Sequence, residues 1–274
     1  MKKITAILLA AMMLLTLCAC GGSDEAESDT LRVAMECGYA PYNWTQEDDS
    51  NGAVPIADSS DYAYGYDVMM AQKIADSMGR ELEIVKLDWD SLIPALQSGD
   101  VDAVIAGQSI TSERLEVVDF SEPYYYASII TLVKADSEYA DAKGIDDLAG
   151  AVATSQLGTI WYDICLPQIK DCDIKPAKET APAMLMALDT GDVDIVVTDM
   201  PIAALEAYDD FVMLDFAGTD NDFEVSDEEI NIGVSVQKGN TELLDAINAV
   251  LATMTVEDYE AMMKEAISVQ PLSE

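Results

Sequence analysis

A thirteen-residue unit occurs twice in this chain, and that repeat constrains the fold more than any other feature. Ala95-Leu96-Gln97-Ser98-Gly99-Asp100-Val101-Asp102-Ala103-Val104-Ile105-Ala106-Gly107 returns 92 residues later as Ala187-Leu188-Asp189-Thr190-Gly191-Asp192-Val193-Asp194-Ile195-Val196-Val197-Thr198-Asp199. Each copy reads as a helix end, a glycine stop and an apolar strand that finishes in small or polar residues. Helix, glycine and strand follow one another in any doubly wound fold, but the shared Gly-Asp-Val-Asp tetrapeptide favours two copies of one supersecondary unit. The expected fold class is therefore α/β with two similar lobes. Open α/β sheets bind ligands beyond the carboxyl ends of their strands, so a ligand cleft between the lobes is expected, lined by both repeated strand ends.

The rest of the chain fits around these copies. Leu31–Glu36 alternates like a strand, and the segment containing Pro41, Asn51, Gly52 and Pro55 reads as a long loop. Asp67 reads as the N-cap of a helix carrying Val68, Ala71, Ala75 and Met78 and stopped by Gly79. Leu82–Leu87 reads as a strand, Asp90–Ser98 as a short helix with Pro94 in its first turn, and Val101–Gly107 as a strand. This alternation predicts a parallel sheet. Tyr124–Tyr126 with the strand-like Ser128–Lys134, and later Ile230–Val236 ahead of helices over 241–252 and 256–267, are candidate crossings between lobes. The first lobe is then discontinuous, residues 31–126 plus 230–274, and the second is 127–229.

The N-terminus reads as an export signal over residues 1–19: Lys2 and Lys3 are basic, and Ile4 to Leu17 is apolar but short for a membrane span. Leu17-Cys18-Ala19-Cys20-Gly21-Gly22 resembles a bacterial lipobox, with Cys20 as the acylated residue and 20–30 as a flexible tether. That implies an extracytoplasmic protein held to the membrane by lipid. Of the remaining cysteines, Cys37, Cys165 and Cys172, either all are free or Cys165 and Cys172 form one small local bridge; their spacing matches no metal motif.

The net charge of −38 becomes −40 once Lys2 and Lys3 are removed, which excludes nucleic acid as a partner. There is no histidine, so Ser-His-Asp, Cys-His and His-metal mechanisms are excluded, and no Walker-type glycine loop occurs. No cofactor or metal is expected. Carboxylates, a few cations, hydroxyls and aromatics suit recognition better than turnover.

Several motifs, in order, carry a family resemblance: Tyr39-Ala40-Pro41-Tyr42, Gly65-Tyr66-Asp67-Val68, Leu92-Ile93-Pro94-Ala95-Leu96, Ala106-Gly107-Gln108-Ser109-Ile110-Thr111-Ser112-Glu113-Arg114, Val118-Asp119-Phe120-Ser121 with Pro123-Tyr124, and Gly191-Asp192-Val193-Asp194. From about residue 31 to 268 the chain resembles the amino-acid-binding group, family 3, of bacterial extracellular solute-binding proteins, with their type II periplasmic-binding fold. The resemblance implies a monomer that captures an amino acid and delivers it to the transmembrane subunits of an ABC importer.

It also implies a ligand site. Arg114 matches the arginine that grips the ligand α-carboxylate, a task suited to the guanidinium fork. Ser109 matches a second carboxylate contact, and Gly107 a backbone contact to the α-ammonium. Asp199 matches the acid that accepts the ammonium. Thr159, in the Gly158-Thr159 turn, matches backbone donors from the second lobe; Ile160 stands where a polar residue is usual, leaving only its backbone to contribute. Glu36, Tyr39, Trp89, Gln156 and Thr198 match positions that set side-chain preference, with Tyr39 and Trp89 as two aromatic walls, which favours a polar or cationic amino acid. Arginine, lysine and glutamine lead. The tyrosine-rich stretch from Gln46 to Tyr64 is longer than usual and is placed to overhang the cleft.

Two other classes share this resemblance. One is a dehydratase of the cyclohexadienyl type acting on cyclic carboxylic acids, for which a carboxylate must replace the absent histidine. The other is an extracellular sensor or adhesin ectodomain.

Overall fold

The computed structural model describes residues 29–199, 201 and 210–271. The residues read as an export signal, Cys20 read as the lipidation site, and nearly all of the expected tether lie outside these residues.

Two five-stranded sheets are built to one plan. The first uses β1 (Thr30–Met35), β6 (Glu81–Lys86), β7 (Ala103–Val104), β8 (Val118–Phe120) and β16 (Ser235–Gln237), in the order β6-β1-β7-β16-β8. The second uses β10 (Ile130–Lys134), β11 (Val152–Thr154), β12 (Asp173–Ile174), β13 (Ile195–Thr198) and β14 (Phe211–Asp215), in the order β12-β11-β13-β10-β14. The repeated strands β7 and β13 hold the same central place. Each lies parallel to the first strand of its sheet, β1 or β11, and antiparallel to the crossing strand, β16 or β10. Two short strands, β9 (Tyr125–Tyr126) and β15 (Asn231–Ile232), pair antiparallel where the chain passes between the sheets.

The expected parallel sheet is thus four strands running one way and one running against them, β16 or β10, inserted between the third and the last. Local alternation reveals no partner: β16 enters the first sheet from more than a hundred residues away. The strand expected over Val101–Gly107 shortens to Ala103–Val104, although on either side the Asp102 and Ile105 N–H groups still donate to the Arg32 and Ala34 carbonyls of β1.

The segment read as a loop after Pro41 is instead a small sheet. β2 (Gly38–Tyr39), β3 (Asn43–Gln46), β5 (Tyr62–Tyr64) and β4 (Val54–Pro55) pair in that order, all antiparallel. Rather than overhanging the cleft, it is sewn to the free edge of the first sheet, where Ile56 bridges Ile84 and the Ala57 N–H donates to the Ile84 carbonyl at 2.8 Å. Covering an edge strand in this way removes a template for unwanted pairing.

The helix after it spans Tyr66–Met78 and stops at Gly79 in the left-handed region, as expected. Its N-cap, however, is Gly65, and Asp67 lies inside the first turn, fully buried. The difference has a cause. The Asp67 carboxylate turns inward to accept from Asn43 Nδ2 and from the Tyr124 hydroxyl, each at 2.7 Å, so it is unavailable to cap its own helix.

The core on either side of the sheets is aliphatic, with Leu31, Val33, Ile84, Leu92, Leu96 and Ile105 in the first lobe and Leu132, Ile195, Val196, Val197 and Leu188 in the second. Cys37, Cys165 and Cys172 are free thiols. No described helix is long and apolar enough to cross a membrane.

Gly65 is where backbone approach is tightest. Its φ is +129°, and an added Cβ would lie 2.4 Å from the Tyr42 carbonyl oxygen and 2.9 Å from the Asn43 Cα. Gly65→Ala is expected to lower stability by about 2–3 kcal/mol, a Tm drop on the order of 5–10 °C for a chain of this size. Thermal unfolding followed by circular dichroism measures it, and an unchanged Tm refutes the close approach.

Candidate functional site

Four parallel strands point their carboxyl ends at one region: β1 leads to Glu36, β7 to Gly107, β11 to Gln156 and β13 to Asp199. Residues from both sheets therefore meet there. Glu36, at 7% exposure, accepts a hydrogen bond from Gln156 Nε2 of the other sheet at 3.1 Å. Its second oxygen, Oε1, is buried without a partner. Burial raises the Glu36 pKa, offset in part by the Gln156 bond.

Asp199, at 2% exposure, ends the second repeat. The Tyr39 hydroxyl donates to its Oδ1 at 2.8 Å and lies 2.7 Å from the Thr198 hydroxyl. A phenol has one proton to give, so Thr198 is the donor in the second contact. Oδ2 of Asp199 is buried without a partner. Burial raises the Asp199 pKa to about 7; the Tyr39 bond and the Arg114 charge oppose that rise, and the nearby Asp67 charge adds to it.

Arg114 is the third residue of a short helix, Ser112–Leu115, capped by the Thr111 hydroxyl. Its guanidinium donates from Nη1 to the Ser109 carbonyl at 2.8 Å and from Nη2 to the Gly158 carbonyl, across the cleft, at 3.0 Å. Of its five N–H donors, three remain. Burial draws its pKa down to about 10, and the charges of Glu113 and Asp199 resist that shift. A cation from one lobe and an anion from the other are thus within electrostatic reach of each other, each with unused hydrogen-bonding capacity.

Trp89, the second aromatic wall implied by the resemblance, has a cation of the protein on one face of its ring. The Arg114 guanidinium carbon lies 5.4 Å from its ring centroid, so a cation of the protein itself occupies that face. Thr159 is buried, but its hydroxyl is consumed locally: it donates to the Gln156 carbonyl at 2.7 Å and accepts from the Tyr162 N–H. The Ile160 side chain is buried in the core, which leaves its backbone as the group able to serve a ligand. Ser109 is buried and bridges Ile232, beside the β9–β15 crossing. At Gly107, φ is +60° and an added Cβ would sit 3.4 Å from the Tyr42 ring, so the backbone passes close to the aromatic floor.

Three groups at this site escaped the sequence reading. Tyr42 is fully buried against Tyr39, with ring centroids 5.2 Å apart, and its hydroxyl donates to the Asp199 carbonyl at 3.3 Å. Asp67 and Tyr124 support Gly107 from below: the Gly107 N–H donates to the Tyr124 hydroxyl at 3.3 Å, and that hydroxyl donates to Asp67. Burial lifts the Asp67 pKa to about 6. Trp161 packs its ring 6.0 Å from that of Tyr39. Their advance signals were places in the quoted motifs, Tyr42 in Tyr39-Ala40-Pro41-Tyr42, Asp67 in Gly65-Tyr66-Asp67-Val68 and Tyr124 in Pro123-Tyr124, and for Trp161 an aromatic two residues past Thr159.

Comparison with known proteins places this geometry. The model of the bacterial extracellular solute-binding proteins, family 3, matches residues 31–267. The L-cystine-binding protein TcyJ of Escherichia coli (strain K12) is 29% identical over 83% of this chain and 78% of its own length. The arginine-binding extracellular protein ArtP of Bacillus subtilis (strain 168) is 34% identical over 58% of each chain. An amino acid ABC transporter substrate-binding protein from Streptococcus pneumoniae, solved with L-arginine bound, is 27% identical and superimposes with a TM-score of 0.74, covering 88% of this chain and 98% of that one. The chain belongs to family 3 of the bacterial extracellular solute-binding proteins and has their two-lobed α/β fold.

Proposed function

We propose that this protein is the substrate-binding lipoprotein of an amino-acid ABC importer, anchored through Cys20, that captures one polar or cationic amino acid between lobes 31–126 plus 230–274 and 127–229. The observation that carries this reading is the placement of Arg114, with three free N–H donors, within electrostatic reach of Asp199 and its unpartnered Oδ2. A guanidinium and a buried carboxylate so placed complement the carboxylate and ammonium of an α-amino acid. Relatives that bind cystine, arginine and other amino acids support the ligand class. Glu36, Tyr39, Gln156 and Thr198 then surround the variable side chain, and arginine, lysine and glutamine are the leading ligands. The site offers binding groups to a zwitterion without an evident acid and base pair for turnover.

A thermal-shift screen of the standard amino acids tests the reading, because a ligand at 100 times its Kd adds about 2.7 kcal/mol of stability. No shift with any of them refutes it. Charge-partner variants refine the test: Arg114→Ala and Asp199→Asn are each expected to weaken the identified ligand by ~2–5 kcal/mol, as measured by calorimetric titration.

Affinity should also depend on pH, with a definite sign. The pKa of Asp199 stands at about 7 in the folded protein against 3.8 for an ordinary aspartate, so the folded state retains its proton up to near neutrality. Its contribution to stability is present at acidic pH and is lost as pH rises through about 7. An ammonium ligand requires the ionised form and relieves the cost of burying it. Affinity is expected to fall as pH drops from 8 to 6, approaching tenfold per unit below pH 7, and Asp199→Asn should flatten that profile. A flat parental profile counts against Asp199 as the ammonium partner.

Cys20→Ala is expected to stop incorporation of radiolabelled palmitate and release the protein from the membrane. Persistent labelling refutes Cys20 as the anchor.

A further inference from the structure

Among the described residues, Asp199 Oδ2, Glu36 Oε1 and Trp161 Nε1 are buried polar atoms without partners, the first two at strand ends that meet in the cleft and the third on a ring packed against Tyr39 of the same site. The first two can only accept while ionised, and the third can only donate. Trp161 is 3% exposed, and its ring stands beside Tyr39, whose hydroxyl holds Thr198 and Asp199. A buried N–H with no acceptor is destabilising, and a phenylalanine would fill the same apolar space without that burden. The indole therefore calls for an acceptor from outside the chain. The ligand α-carboxylate already has the three remaining Arg114 donors, which leaves the indole for the ligand side chain.

Resting on the amino-acid reading above, we propose that Trp161 determines side-chain specificity: its indole N–H donates to an acceptor at the ligand's far end while Glu36 Oε1 accepts from a donor there, so that the pair selects a terminal amide of the glutamine type. A primary amide offers one acceptor oxygen and two N–H donors and answers both residues. A guanidinium or an ammonium offers donors alone and leaves the Trp161 N–H unanswered. Discrimination by a hydrogen-bonding site arises because the wrong ligand leaves a buried polar group unpaired.

The three tryptophans, Trp44, Trp89 and Trp161, allow a direct test on the parental protein. In a 15N-labelled sample each indole N–H gives one resonance, assigned with Trp44→Phe and Trp89→Phe. L-glutamine is expected to move the Trp161 indole proton downfield, while the Trp44 signal, already bonded to Gln46 at 3.2 Å, stays in place. L-arginine and L-lysine should bind more weakly and lack that downfield shift. Trp161→Phe is expected to reduce L-glutamine affinity about tenfold and change L-arginine affinity less than twofold. An unmoved Trp161 signal at saturating L-glutamine, an equal loss for all three ligands in the variant, or tighter parental binding of L-arginine overturns the proposal. If other amino acids stabilise the protein and L-glutamine does not, this inference falls and the amino-acid reading stands; if none does, both fall.

Discussion

Among the described residues, the side-chain donor to the Asp199 carboxylate reaches it across the cleft. A buried anion must be hydrogen-bonded or it shifts toward neutrality, and here the donor is the Tyr39 hydroxyl from the first lobe. Much of the surrounding structure serves to hold that tyrosine. Its ring leans on Tyr42, which packs edge-on against Tyr66 and Tyr125. The Tyr42 carbonyl accepts the Asp67 N–H at 2.8 Å, and Asp67 in turn fixes Tyr124 beneath Gly107. The closeness of Gly65 to Tyr42 belongs to the same assembly. One acid thus joins the lobes through Tyr39, beside the Gln156–Glu36 and Arg114–Gly158 contacts that also cross the cleft.

What local pattern could reveal, and what it could not, divides along physical lines. The repeat located the strand ends because helix, glycine stop and apolar strand are short-range signals, and Arg114, Glu36 and Asp199 were singled out by the family resemblance, which matched them to charged positions beside such ends. Asp67 misled because an aspartate before an apolar helical run ordinarily caps it; only the packed structure shows Asn43 and Tyr124 drawing it inward. The turn formers between Pro41 and Pro55 outweighed the short alternations at Asn43–Gln46 and Tyr62–Tyr64, so a four-stranded sheet read as a loop. Trp89 was legible as an aromatic near the cleft, but the guanidinium on its face belongs to Arg114, a contact between residues 25 apart. Trp161 carries no local signal beyond its position, since an unpartnered indole N–H exists only once everything around it is packed.

Three buried acids, Glu36, Asp67 and Asp199, crowd one region, with Arg114 as the cation acting on Asp199. Burial raises the pKa of each acid, and the Asp67 charge raises that of Asp199 further. The acids differ in what satisfies them. Asp67 has both oxygens bonded inside the protein, whereas Asp199 and Glu36 each keep one open. A buried carboxylate therefore serves internal support at Asp67 and keeps an unmet acceptor at Asp199 and Glu36.

The placement of β16 bears on how the chain assembles as it emerges from its N-terminus. Every strand of the second sheet lies between residues 130 and 215, so that sheet has all its strands in one continuous stretch. The first sheet carries β16, from residues 235–237, between β7 and β8, in its interior and not at an edge. Its early strands must wait, with one ladder unpaired, until almost the whole chain has appeared, because a contact spanning so many residues forms only after its loop entropy has been overcome. The half that begins first is completed last, and an emerging chain of this topology stays threadable until its end arrives.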